Sequence, residues 1–219
     1  MKIGIIGAGF IGRAMAELAM RHGDSAMLSN SRGPQTLTST RAAIGCELGT
    51  TGEAAAFGDV IVLAVPFGNL AQLPPGLLDG RIVIDTCNYY PDRDGHVAAL
   101  DAHETTTSQL VAARFPGARV VKAFNAILAA DIGTTGAPGG QPGRRALPLA
   151  SDDAAAKDVV STLQDRYGFD VVDTGGLAQS WRFERAKPAY CIPLDRAGME
   201  RAIAQAQRDV ELPHGSWRK

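Results

Sequence analysis

The chain has 219 residues, of which 45% are hydrophobic and 21% are charged, and its formal net charge is -1. This composition is typical of a globular protein, and the near-neutral charge gives no basic surface for nucleic acid or for an anionic membrane. No apolar run approaches the roughly 18 residues of a membrane span, and the apolar N-terminus is too short for a secretion signal. The three cysteines are widely spaced and form no disulfide framework, so a reducing, cytoplasmic location is expected.

Short apolar runs alternate with helical patterns along the first half of the chain. The runs begin with Ile3–Ile6 and continue at 60–65, 82–84 and 120–121. Continuous apolar character, rather than strict alternation, is typical of strands buried on both faces. Helical patterns lie between the runs, for example at 14–21 and 107–114. The alternation predicts βαβ units and therefore the α/β class, with an N-terminal Rossmann fold built on a doubly wound parallel sheet.

The second half of the sequence predicts a structural unit that is smaller than the Rossmann fold. Residues 133–143 hold five glycines and two prolines, which indicates a loop or a boundary. A strand is expected over 146–150, a helix capped by Asp152 and Asp153 to about residue 167, a strand over 171–173, and a helix from Asp195 to about residue 208. Residues 212–219 are predicted to be a loose tail. We therefore expect a Rossmann domain over 1–128 and a small C-terminal α/β lobe over 129–219.

A glycine-rich motif, GxGxxG, follows the first predicted strand and opens the first predicted helix. Gly7 permits a tight turn, Gly9 lets the backbone approach a pyrophosphate, and Gly12 lets the helix pack close to the strand. Amides at the start of the helix then face the phosphate charge. This context predicts a dinucleotide site that includes Phe10 and Ile11 as well as the three glycines.

The end of the second predicted strand favours NADP over NAD. An NAD site places a carboxylate there for the ribose hydroxyls, but residues 26–34 contain no Asp or Glu. Asn30, Ser31 and Arg32 instead offer an amide, a hydroxyl and a guanidinium, which suit a 2′-phosphate. The alternative is that Arg32 is an ordinary solvated arginine beside a turn.

Three further strand ends are expected at the same crevice, because ligands of such sheets bind outside the carboxyl ends of the strands. Asn125 is a candidate to hold the nicotinamide carboxamide or the acceptor ring, whereas Phe124 also fits a plain core position, and a turn explains Asn88 and Pro91 equally well. The predicted cofactor-binding residues at these three ends are Ala64, Val65, Pro66, Asn88, Ala123 and Asn125.

Taken in order, these segments resemble the coenzyme F-420-dependent NADP oxidoreductase family. The match runs through the loop of 7–12, Ser31-Arg32, 64–66, 85–88 and 121–125, and it continues with 175–178 and 181–182. The resemblance implies NADP(H) as cofactor, with coenzyme F-420 or a flavin as co-substrate in a cleft between the two units. It also implies direct hydride transfer without a general acid or base. Accordingly, no catalytic or metal-binding residue is predicted.

The sequence leaves the identity of the hydride acceptor open, together with the residues that bind it. Trp181 could stack on a planar acceptor, Arg182 and Arg185 could bind an anionic tail, and Arg144 with Arg145 could close over a phosphate. One alternative function is reduction of a small imine or carbonyl substrate, which would need a proton donor such as Tyr89, Tyr90 or Lys122. Another is a non-catalytic NADPH sensor. The expected partner is a small-molecule hydride acceptor, and a homodimer is an open alternative to a monomer.

Overall fold

A computed structural model describes residues 1–213 and 215–216, so His214 and residues 217–219, with much of the predicted tail, lie outside the described residues. The main sheet has six parallel strands. They are β1 (Lys2–Ile6), β2 (Ser25–Ser29), β3 (Glu47–Leu48), β4 (Val60–Leu63), β5 (Ile82–Asp85) and β6 (Arg119–Lys122). Their order in space, β3-β2-β1-β4-β5-β6, is that of a Rossmann sheet and confirms the predicted fold class.

Helices cover both faces of this sheet, which explains the continuous apolar runs of its strands. The helices of this part are α1 (Phe10–Arg21), α2 (Thr38–Ile44), α3 (Thr51–Phe57), α4 (Pro91–Asp94), α5 (Ala98–Asp101) and α6 (Thr107–Arg114). Ile3 and Ile5 of β1 pack in one core with α1. Ile61 and Leu63 of β4 point the other way, into a second core with α6. Successive side chains of a strand face opposite sides of the sheet, so each side needs its own cover.

The second half forms a two-stranded parallel sheet beside the first. Its elements are α7 (Ala129–Ile132), β7 (Ala146–Leu149), α8 (Ala154–Arg166), β8 (Asp170–Asp173) and α9 (Arg196–Gln205). As predicted, the Asp153 carboxylate accepts from the amide of Ala156 at 2.9 Å, at the start of α8. The side chains of α8 enter the same core as α1, and Lys122 and Ala150 exchange backbone hydrogen bonds. The division into domains at residue 128 stays a prediction.

Two further observations concern the cysteines and the apolar length of the helices. All three cysteines are free thiols in buried positions. Across residues 1–213 and 215–216, no helix is long and apolar enough to cross a membrane.

Candidate functional site

The glycine loop has the geometry that its sequence predicts. Gly7 has a φ of +110°, and a Cβ there would lie 2.2 Å from the carbonyl oxygen of Ala64. A Cβ on Gly12 would lie 1.8 Å from the carbonyl oxygen of Gly7. Gly9, immediately before α1, instead faces open space with no atom within 4 Å of its Cβ position. The first and third glycines are therefore needed for packing, whereas the second leaves room for a ligand to approach the helix N-terminus.

Two cavities meet at this loop, at the point where the strand order reverses between β1 and β4. We call the larger one, of about 620 Å³, the loop-side cavity, because the glycine loop and residues 30–32 line it. The tyrosine-side cavity, of about 330 Å³, is lined by Tyr90, Tyr190, Asn88 and Asn125. Residues shared by the two walls are Gly9, Ala64, Val65 and Pro66. An extended ligand can therefore lie across both.

The loop-side cavity carries the residues predicted for a 2′-phosphate. Ser31 and Arg32 are exposed and line it, and the described residues of its lining include no Asp or Glu. Asn30 also has a structural role. Its Oδ1 accepts from the amide of Arg32 at 3.0 Å, and its Nδ2 donates to Thr36 at 2.9 Å. This Asx-type turn holds Arg32 at the rim. Among the described residues of the lining, Arg32 is the one with a charged side chain.

Two asparagines from different strand ends are joined by two hydrogen bonds in the tyrosine-side cavity. Asn88 Nδ2 donates to the carbonyl oxygen of Asn125 at 3.0 Å, and Asn125 Nδ2 donates to Asn88 Oδ1 at 3.1 Å and to the carbonyl oxygen of Phe183 at 3.0 Å. Asn125 is only 3% exposed, and its Oδ1 has no hydrogen-bond partner. A buried acceptor without a partner costs free energy, so a ligand that donates to Oδ1 would be favoured. A nicotinamide carboxamide has such a donor.

Ala123 does not reach either cavity, although the sequence predicted it to bind the cofactor. It is fully buried, and its amide donates to the carbonyl oxygen of Asp85 at 3.3 Å. Phe124 is also a core residue, in edge contact with Tyr167 and Phe169. The chain turns at Phe124, whose φ is +56°, and only then brings Asn125 to the cavity wall. The position of Ala123 therefore gives it a packing role.

A buried ion pair supports the loop that follows β5. Lys122 and Asp85 are both fully buried, with Lys122 Nζ 3.1 Å from Asp85 Oδ2. Asp85 also accepts from Ser108 at 2.6 Å and from the amide of Cys87 at 2.8 Å, and Lys122 donates to the carbonyl oxygen of Cys87. Burial and the Asp85 charge raise the pKa of the Cys87 thiol well above its ordinary value. Lys122 is thus a structural cation, not the proton donor that the sequence suggested as an alternative.

The basic and aromatic candidates of the second half line neither of the two cavities. Trp181 lines a separate depression of about 250 Å³, where the guanidinium of Arg182 sits 4.5 Å from its ring centroid. Arg185, in the same depression, pairs with Glu211 at 3.0 Å. The stacking role of Trp181 therefore has no support from its position.

The prediction that Arg144 and Arg145 close over a phosphate is wrong. Both are buried in ion pairs, Arg144 with Asp165 and Asp170 and Arg145 with Asp131 at 2.8 Å. Their guanidinium groups therefore contact carboxylates of α7, α8 and β8.

Sequence reasoning missed several residues of the tyrosine-side cavity. Tyr190 and Cys191 enter it from a loop of the second half, and Arg93 enters from α4. The Tyr190 and Tyr90 hydroxyl oxygens lie 2.5 Å apart. No local pattern signals a pair separated by 100 residues, and the φ of +57° at Cys191 is likewise not readable from the residue type.

The fold and these residues can be compared with known proteins. A family model described as NADP oxidoreductase, coenzyme F-420-dependent, matches residues 2–89. A crystal structure of a hypothetical protein from Sinorhizobium meliloti is 32% identical with a TM-score of 0.76, covering 90% of this chain and 95% of that one. A protein from Arthrobacter sp. FB24, proposed to be an F-420-dependent NADP-reductase, is 25% identical with a TM-score of 0.70, covering 82% and 87%.

One curated relative matches this chain over only part of its own length. Metalloreductase STEAP3 of Rattus norvegicus is 28% identical over 199 residues, which cover 88% of this chain but 38% of that protein. The chain spans about half or less of the curated relatives that it matches.

Proposed function

Because the chain belongs to the coenzyme F-420-dependent NADP oxidoreductase family, we propose that it transfers a hydride between NADPH and a deazaflavin or flavin-type acceptor. It is an NADP-dependent oxidoreductase. The finer assignment rests mainly on one observation: the loop-side and tyrosine-side cavities form one crevice at the reversal of strand order. The proposal includes a cytoplasmic location and a small-molecule acceptor as partner.

The chain's own residues fit NADP(H) along this crevice. Arg32 and Ser31 would hold the 2′-phosphate, and the amides that follow Gly9 would meet the pyrophosphate. Asn125 Oδ1 would accept from the carboxamide, with Asn88 holding the Asn125 side chain in place. When bound, NADPH supplies a hydride from its nicotinamide ring. The protein's contribution is then to hold the two reacting rings in contact and to exclude water.

The tyrosine-side cavity offers apolar surface for a planar acceptor. Phe10 is 87% exposed at its rim, and Ile127 and Leu128 line the wall. The exposed Phe10 ring is available to stack on an aromatic ring, and aromatic pairs contribute more than their area burial alone. This observation favours a deazaflavin or flavin ring over a small aliphatic acceptor.

The test is anaerobic oxidation of NADPH by oxidised coenzyme F-420, with FMN as a second acceptor and NADH as the control donor. Bleaching of the deazaflavin by NADPH but not by NADH supports the proposal. Phe10→Ala should raise the KM for the acceptor by several-fold. The matched control is Phe57→Ala, at the end of α3, which lines neither cavity. Tight NADPH binding without turnover of any acceptor would contradict hydride transfer and favour a sensor.

A further inference from the structure

Two tyrosines form a hydrogen-bonded pair on the wall of the tyrosine-side cavity. Tyr90 follows the loop after β5 and precedes α4, and Tyr190 lies in the loop before α9. Their hydroxyl oxygens are 2.5 Å apart, and both residues line the cavity. A hydroxyl pair this close forms a short hydrogen bond, in which one oxygen donates and the other accepts.

The hydroxyl groups of Tyr90 and Tyr190 differ in their burial and in their neighbours. Tyr190 is 5% exposed, and burial together with Cys191 and Tyr90 raises the pKa of its phenol well above the ordinary value. Tyr190 therefore keeps its proton. Either oxygen of the pair can be the donor, and in the arrangement that serves proton donation the Tyr190 hydroxyl donates to the Tyr90 oxygen. With its oxygen acting as acceptor, Tyr90 can direct its own O–H bond into the cavity. The guanidinium groups of Arg93 and Arg185, 4.7 and 5.7 Å from the Tyr90 ring centroid, hold that ring in position.

The other candidate proton donors do not compete. The Tyr89 hydroxyl donates to Asp101 at 2.8 Å and accepts from the amide of Val97 at 3.0 Å, and Tyr89 lines the separate depression at Trp181 instead. Lys122 is fully buried against Asp85. The Cys191 thiol does line the cavity, but burial raises its pKa to about 12, so it is a poor acid at neutral pH.

We infer that the same crevice also reduces a carbonyl or imine group of a small substrate, with Tyr90 donating the proton and Tyr190 positioning Tyr90. This activity rests on the proposed hydride transfer from NADPH. The hydride forms a C–H bond at the carbon of the double bond, and the π electron pair moves to the oxygen or nitrogen. The Tyr90 O–H bond breaks as its proton passes to that atom, and solvent then returns a proton to the Tyr90 oxygen. NADP⁺ and an alcohol or amine are the products.

Two probes of one ring size separate proton donation from hydride transfer. Reduction of 2-tetralone needs a hydride and a proton, whereas reduction of N-methyl-3,4-dihydroisoquinolinium needs only a hydride because its nitrogen is already cationic. For Tyr90→Phe we expect a loss of about 100-fold in kcat with the ketone, the usual scale of general acid catalysis, and little change with the iminium ion. Tyr190→Phe should lose about tenfold with the ketone only. Tyr89→Phe, the matched control, should leave the ratio of the two rates unchanged.

A binding measurement supplies a readout besides turnover. The product alcohol, 2-tetralol, titrated into the protein with NADPH bound and followed by nicotinamide fluorescence, should bind several-fold more weakly to Tyr90→Phe than to the wild type. Unchanged NADPH affinity in the same titration shows that the variant is folded.

The outcomes distinguish this inference from the proposed function. Equal losses of Tyr90→Phe with both probes would assign Tyr90 to positioning and overturn the inference. Reduction of coenzyme F-420 or of the iminium ion by the wild type, without reduction of the ketone, would overturn the inference while the hydride transfer stands. NADPH binding without turnover of any acceptor would overturn both.

Discussion

Replacing Arg32 with alanine tests the cofactor assignment directly. Arg32 stands at the rim of the loop-side cavity, and no carboxylate among the described lining residues competes for its charge. A hydrogen bond to a charged group contributes about 1.5–3 kcal/mol. Arg32 is exposed, so solvent screening places its contribution in the lower half of that range. At about 1.4 kcal/mol for each factor of ten, NADPH should bind roughly 10- to 30-fold more weakly to Arg32→Ala.

The assay is a fluorescence titration of NADPH and of NADH against Arg32→Ala and the wild type. NADH lacks the 2′-phosphate, so its Kd should change by less than about threefold, the scale of a surface charge effect. Arg41→Ala is the matched control, because Arg41 is an exposed arginine on the neighbouring helix α2 that does not line the cavity. Equal weakening of both cofactors, or the same effect in Arg41→Ala, would remove Arg32 from the 2′-phosphate site.

Three further substitutions test the scaffold under the site. Lys122→Met leaves the fully buried Asp85 without its cation and should lower the free energy of unfolding in urea by about 3–5 kcal/mol. Adding Asp85→Asn should restore much of that loss, and no recovery would contradict the ion-pair account. Gly12→Ala places a methyl group 1.8 Å from a backbone oxygen of the glycine loop, so it should cost at least about 1–3 kcal/mol of stability and weaken NADPH binding in titrations. Burial alone would raise the pKa of Asp24, but its hydrogen bonds to Arg166 and to the N-terminal amine outweigh burial and hold that pKa below 3.8. The ionised Asp24 carboxylate therefore stabilises the fold above pH 3.8, and this stabilisation is lost as the pH falls through the lowered pKa. The Tm of Asp24→Asn should be below that of the wild type at neutral pH, and the difference should shrink in acid. A difference that is the same at every pH would contradict this account.

The Rossmann fold and the position of its nucleotide loop follow from local sequence patterns. Residues 3–6, 60–65 and 82–84 are apolar on both faces, and a parallel sheet covered on both sides buries such strands. Gly7 and Gly12 have no room for a side chain, so the presence of glycine at these positions indicates the close backbone packing of the loop. The helix N-caps at Asp153 and Asp195 could also be predicted from sequence, because each carboxylate accepts from an amide only three residues later.

Which strand-end residues face the crevice, and which residues they contact there, depends on packing between distant parts of the chain. The turn at Phe124 sends Ala123 into the core and Asn125 to the cavity wall, although the two are separated by a single residue. Tyr90 and Tyr190 lie 100 residues apart and meet through the packing of the second half against the first. Periodicity and capping are local signals, whereas a contact between distant segments depends on the relative placement of whole elements. The dinucleotide loop was therefore predictable from sequence, and the acceptor side of the site was not.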